Sequence, residues 1–299
     1  MYSDTIKYTS GMIRSKLEIL AELSKVKITF FVAISGTVGY ILAGGSVGFE
    51  MLMTLLGIFI LSCGSSSFNH IQEVETDALM VRTKNRPLPQ HKMSISESAL
   101  WASAMVVFGL MILIIFTNPL ATLLGIAALV SYNLMYTPLK KLTAFAIFPG
   151  SIVGALPPAI GWVAAGGDIV DPKLMSLAVF FFVWQIPHFW FLMLIYDNDY
   201  RRAGFPTPSR YFSNEQLKRI TFVWIGALAA SCMMIPFFGV THSIFTNLLL
   251  LLAGGILLWR TRSLVVKLEK QFNLKLAFVD INVYVLFVVV LLSVDKFIN

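Results

Sequence analysis

Apolar residues along this chain neither alternate nor recur in narrow helical stripes; they come in long runs separated by short polar stretches. Nine such runs, at about 28–46, 50–70, 97–116, 118–136, 143–164, 173–196, 218–239, 243–260 and 275–294, each approach the roughly 20 residues that a membrane helix needs. In lipid the backbone groups of such a run must be bonded within it, which selects helix. The pattern predicts an all-α, polytopic membrane protein of nine transmembrane helices around a central cavity, with a single domain over 28–299 after an N-terminal cytoplasmic or interfacial segment, 1–27. Within that segment, "MIRSKLEILAELSKVK" sets Ile13, Leu17, Leu20 and Ala21 at helical spacing between charges. It is read either as a helix lying along the membrane interface or as a solvated one.

Composition agrees: 57% hydrophobic and 13% charged residues, with a mean hydropathy of +0.77, exclude a soluble domain. The net charge of +7 raises the question of a nucleic-acid partner, and its distribution answers no. If the N-terminus is cytoplasmic, 21 of the 23 Lys and Arg fall on that side, and only Lys173 and Lys296 on the other. That asymmetry is the positive-inside rule and places the C-terminus opposite the N-terminus. Cys63 and Cys232 lie inside apolar runs and are read as small core residues. The first 27 residues lack an apolar core with a small-residue cleavage site, so the first span does the targeting; without an Arg- and Ser-rich transit segment, a bacterial inner membrane is expected.

One polar stretch breaks the pattern. "NHIQEVETDALMVRTKNRPLP", 69–89, follows the second run and falls on the basic, cytoplasmic side. Asn69, Glu73 and Asp77 are four residues apart; on a continuous helix they drift about 40° per step and share one face. An amide and two carboxylates there suit a hard cation, above all Mg2+, which takes phosphate oxygens as further ligands. Arg82 and Arg86 supply forked donors suited to phosphate. Acids for metal and arginines for phosphate point to a bound diphosphate. The competing reading is a juxtamembrane helix whose charges are solvated or paired with lipid headgroups.

These residues resemble the first aspartate-rich motif of the UbiA superfamily of intramembrane prenyltransferases, in its protohaem farnesyltransferase branch. "ELSKVKITFFVAISGTVGYILA", "YTPLKKLT" at 136–143, "VGALPPAIGW" at 153–162, "WQIPHFWFL" at 184–192 and "DYRRAGFP" at 199–206 are also similar to family signatures, so the resemblance covers most of the chain. Val26 stands where the family commonly has Pro and Lys27 where Arg is usual. The second acidic motif is thin: Asp199 is followed four residues later by Ala203, with Asp197 as an alternative acid. The resemblance implies an Mg2+-dependent transfer of farnesyl from farnesyl diphosphate to a vinyl group of haem B, giving haem O, with haem A synthase or oxidase assembly factors downstream.

Metal and diphosphate are therefore assigned to Asn69, Glu73, Asp77, Arg82 and Arg86, with Asp199 and Tyr200 opposite; Lys27, Lys84, Lys140 and Arg201 are further candidates for charge neutralisation. "YDNDYRRAGFP", 196–206, at the cytoplasmic end of the sixth run, is read as completing that cradle or as a polar loop with a Gly-x-Pro turn. The Phe-rich sixth run offers faces for an allylic cation. His188, beside the helix breaker Pro187, either ligates or orients haem iron or bonds a carbonyl that Pro187 frees. Pro157 and Pro158, with Gly150, Gly154 and Gly161, allow either a broken helix lining the cavity or close helix packing. His70, His91 and His242 are read as interface residues without a role.

Four other readings compete. A prenyltransferase acting on an aromatic or quinone precursor shares the first motif but not the "WQIPHF" and "ALPP" elements. A transporter calls for acids spread through the membrane's depth, whereas here they cluster at one rim. A haem chaperone needs no diphosphate cradle, and a phosphatidyltransferase needs a DG-x2-AR-type run that is missing.

Overall fold

The structure, a computed structural model, describes residues 16–266 and 273–298; Ile13 of the amphipathic stretch lies outside the described residues. Every regular element described is helical. Among the described residues, eight helices are long and apolar enough to cross a membrane: Phe49–Gln72, Ile95–Phe116, Pro119–Leu139, Ala144–Ala164, Pro172–Ile195, Asn214–Phe237, Ile244–Leu264 and Leu274–Ile298. The first span, Val26–Leu42, has 17 residues, at the short limit for crossing, and stops before the expected 46 because Gly44 turns at φ 94°. Together with it, the eight make the nine-helix arrangement that hydropathy predicts.

The chain's own chemistry sets the other ends. Ser94, Asn118, Asp171 and Ser243 each accept a backbone N–H in the first turn of the following span. A capping box of Ser213 and Gln216 starts the seventh span at Asn214 rather than at the expected 218, adding a polar turn that a hydropathy scan does not see. Outward faces carry Leu100, Ile115, Leu123, Phe237 and Leu252, all exposed, while Leu177, Phe180, Ile225, Leu228, Ile281 and Val288 fill the interior. So much outward apolar surface is untenable in water and marks a polytopic membrane protein. Residues 16–23 form a helical segment whose Leu23 packs with Leu88 and Met93 beside Ile19, Leu20, Ile71 and Val74; Leu17 faces outward.

The fifth span is not broken. Ile147–Ala164 runs as one helix through Pro157 and Pro158, and its glycines serve packing. A Cβ on Gly161 would overlap the carbonyl oxygen of Gly36, and one on Gly39 that of Pro158, so the first and fifth spans touch backbone to backbone. Gly150 and Gly154 leave room for Tyr136 and Gln185. Because the obstacle at Gly161 is main chain, Gly161→Ala is expected to lower stability by about 3 kcal/mol. Gly226→Ala, with nothing near its added methyl, should be neutral or slightly stabilising. Thermal unfolding of the two variants in detergent checks the contrast; equal midpoints would refute the contact.

Candidate active site at the polar rim

The second span ends at Gln72. Glu73, at φ −114° and ψ 7°, interrupts the helix before the short helix Val74–Leu79, so the continuous helix expected through 69–77 is kinked at its middle acid. All three side chains still turn inward: Asn69, Glu73 and Asp77 are 1%, 5% and 0% exposed.

Each meets a partner from another part of the chain. Asn69 Oδ1 accepts from Lys25 Nζ at 3.0 Å, and its Nδ2 donates to Thr137 Oγ1 at 3.2 Å. Glu73 is paired with Lys140, whose ammonium stands 5.2 Å from the centre of the Tyr136 ring. Asp77 Oδ2 accepts from Arg86 Nη1 at 2.7 Å, while its buried Oδ1 has no hydrogen-bond partner among the described residues. Thr83, itself buried, donates to the Asp77 carbonyl at 2.9 Å and folds the 80–86 loop back over the acids.

The loop after the sixth span meets the same rim. It is a short helix, Asp197–Arg202, rather than an irregular loop. Asp199 does not point at the acids; its carboxylate accepts the Val81 and Arg82 amides at 3.3 and 3.1 Å and straps the two rims together. The Arg82 guanidinium lies 4.8 Å from the centre of the Tyr196 ring. Tyr200 lines a pocket with Tyr136, Lys140, Phe189, Met193 and Phe205. Asp197 accepts from Ser209 at 2.6 Å and pairs with the exposed Arg201 at 3.8 Å, so neither joins the acids. Lys84 is exposed, as is Lys27; the lysine of the latter stretch that reaches the site is Lys25.

Lys25 was not singled out by sequence reasoning, and two lysines two residues apart carry no signal for which one turns inward. Its backbone is in the left-handed region, φ 47° and ψ 48°, an unusual conformation for a long side chain that costs of order 1 kcal/mol. Burial, then Arg86 and Lys140, push its amine down to about 7. Burial pushes the Glu73 carboxyl up, but Lys140, Lys25 and Arg86 outweigh it and hold the group below the usual carboxylate range. Burial pulls the Lys140 amine down, and Glu73 more than offsets it, so Lys140 stays firmly cationic. Arg86 and Lys140 thus balance the two carboxylates, and the partly protonated Lys25 tips the cluster toward positive charge, which an anion would reinforce by favouring the Lys25 ammonium.

The fourth span supplies a second feature that hydropathy does not show. Val130–Tyr136 is a π-helical segment, a local widening frequent at functional sites. It turns Asn133 inward, where Asn133 Oδ1 accepts from Ser65 Oγ at 2.6 Å, its Nδ2 donates to the Ser65 carbonyl, and Gln72 Nε2 donates to its carbonyl at 2.9 Å. It also stacks Tyr132 on Tyr136, which stacks on Phe189 of the sixth span at 5.3 Å.

Two histidine expectations change. His70 is not at an interface: it is 1% exposed, and neither ring nitrogen has a hydrogen-bond partner among the described residues. His188 Nδ1 does not bond a carbonyl near Pro187; it meets Asn282 Oδ1 of the ninth span at 2.9 Å.

The profile of the UbiA prenyltransferase family matches residues 32–282. The chain belongs to that family. Among its UbiA relatives, the protoheme IX farnesyltransferase of Oleidesulfovibrio alaskensis is 32% identical over 283 residues, covering 95% of this chain and 98% of the relative. The protein of the same name from Geobacter sulfurreducens is 38% identical over 221 residues, 73% of this chain and 80% of the relative. A UbiA homolog from Archaeoglobus fulgidus bound to GPP and Mg2+ superposes with a TM-score of 0.68 over 93% of this chain and 99% of that one; at 14% identity it shows the shared fold.

A metal ion fits these residues in part. Among the described residues, no three His, Cys, Asp or Glu side chains form a cage. Mg2+ however is commonly held by one or two carboxylates together with substrate phosphates, and Asp77 Oδ1 is a buried, unpartnered carboxylate oxygen beside a basic cluster.

Proposed function

We propose that this chain is a protohaem farnesyltransferase: it transfers the farnesyl group of farnesyl diphosphate, with Mg2+, to a vinyl group of haem B, giving haem O. The observation that carries this reading is the cluster of Lys25, Arg86 and Lys140 around Asn69, Glu73 and Asp77, at the rim where the loop after the sixth span is strapped on by Asp199. The acceptor follows the names of bacterial relatives, two of which match over 95% of this chain.

Asn69, Glu73 and Asp77 would hold the metal, which when bound neutralises the diphosphate. Lys25, Lys140 and Arg86 would bind the diphosphate oxygens, with Arg82, Lys84 and Arg201 drawing the anion to the rim. As the C–O bond breaks, its electron pair leaves with the diphosphate, and charge develops where these cations already stand. Tyr136 and Phe189, stacked next to Lys140, present ring faces to the allylic cation. The vinyl π electrons form the new C–C bond, and water captures the resulting cation with loss of one proton. Asp199 acts here as the clasp that holds Arg82 in place, and Tyr200 as part of the pocket wall. The rim faces the cytoplasm of a bacterial inner membrane, as the asymmetry of basic residues favours.

Incubating the purified protein with Mg2+, farnesyl diphosphate and haem B, then weighing the porphyrin by mass spectrometry, tests this. The expected product carries one farnesyl and one hydroxyl group more than haem B. Recovery of unmodified haem alongside prenylation of an aromatic acid would replace the acceptor.

A further inference from the structure

Asn282 is a polar residue inside the ninth span, and hydropathy gives it no role. Its Nδ2 donates to the Phe278 carbonyl at 2.5 Å, one helical turn earlier, and that bond fixes which way the amide faces. The oxygen is therefore turned to His188, 2.9 Å away. An amide oxygen only accepts, so Nδ1 of His188 must carry the proton, and in the neutral ring this leaves Nε2 with a free lone pair. The same arrangement, one imidazole nitrogen bonded to an acceptor and the other free, is how proteins prepare a histidine to bind metal.

Aromatic side chains surround the ring. The His188 ring is flanked by Trp184, Phe189 and Phe278 at centroid distances of 5.1, 5.7 and 5.0 Å. It lies eight residues before Tyr196, about 12 Å below the rim along the sixth span. Phe189 connects it, through Tyr136, to the pocket that holds Lys140. Of the other histidines, His91 and His242 are exposed on loops outside the spans, and His70 is sealed from any approach.

We propose that Asn282 is a positioning residue that holds His188 in the Nδ1–H form, so that Nε2 binds the iron of the porphyrin acceptor and turns one vinyl edge toward the rim. This rests on the haem reading above, and its test is independent of turnover. The purified protein in detergent, without farnesyl diphosphate or Mg2+, is titrated with ferric haem and followed by optical absorption and electron paramagnetic resonance. The wild-type complex should show imidazole ligation. His188→Gly should lose that signature and regain it on addition of free imidazole. Asn282→Leu should weaken haem affinity about 10- to 100-fold, whereas Asn282→Asp, which keeps an acceptor in place, should restore it. Retained farnesyl diphosphate binding shows that each variant is folded. An unchanged spectrum in His188→Gly overturns the proposal even if haem is still farnesylated. So does a His188→Gly that loses turnover while the iron signature persists, which would make the ring a proton acceptor instead. Wild-type affinity and spectrum in Asn282→Leu overturn the positioning role.

Discussion

Asp77→Ala is expected to lower turnover by at least about 10^3-fold, roughly 4 kcal/mol of barrier, while leaving farnesyl diphosphate binding intact or tighter. The direction follows from charge. Asp77 is fully buried, offers an unpartnered oxygen for a metal, and ties down Arg86 with the other. Removing it deletes the metal's best ligand but frees the Arg86 guanidinium in a cluster already rich in cations. Ground-state attraction for a diphosphate therefore persists while stabilisation of the departing one is lost, which lowers kcat and not affinity. Asp77→Asn keeps the volume and should still fail, because an amide brings no negative charge to the metal. Steady-state kinetics over a range of Mg2+, with calorimetric binding of farnesyl diphosphate, separates the two effects. Turnover within about threefold of wild type would remove Asp77 from the chemistry.

How much of this site was legible beforehand depends on what each residue's position rests on. Nine apolar runs predict the spans, because length and hydropathy specify membrane helices, while their ends depend on local chemistry such as the turn at Gly44 and the Ser213 capping box. Asn69, Glu73 and Asp77 share a face because four-residue spacing survives even a kinked helix. What the spacing could not reveal is contact between distant segments. Lys25 and Lys27 are equivalent in pattern, and only a left-handed backbone at Lys25 sends its ammonium to Asn69. Asp199 looked like a metal ligand because an acid's charge is visible in sequence; that its oxygens are taken by the Val81 and Arg82 amides depends on a loop's path. The π-helical turn at Val130–Tyr136 has no hydropathy signature, since it changes the rotation of the residues and not their character. His70 adjoins a charged stretch and so reads as an interface residue, yet it is buried in the last turn of the second span.

Lys140→Met should damage the protein twice, and a second substitution should repair only one of the two losses. Glu73 is buried, and Lys140 is its ion-pair partner. Deleting the ammonium leaves the buried carboxylate without its direct ion-pair partner, with only the Lys25 and Arg86 charges to offset it, a change expected to cost up to about 3 kcal/mol. It also removes a cation from the proposed diphosphate site. In the double variant Lys140→Met/Glu73→Gln no charge is stranded, so the unfolding midpoint in detergent should return toward wild type. Activity should not return, because both a diphosphate contact and a metal ligand are then missing. If the pair were only a structural clamp, the isosteric neutral replacement would restore folding and turnover together. The thermal midpoints and initial rates of the two variants distinguish the cases: recovery of both overturns the assignment of Lys140 and Glu73 to the chemistry, and recovery of stability alone supports it.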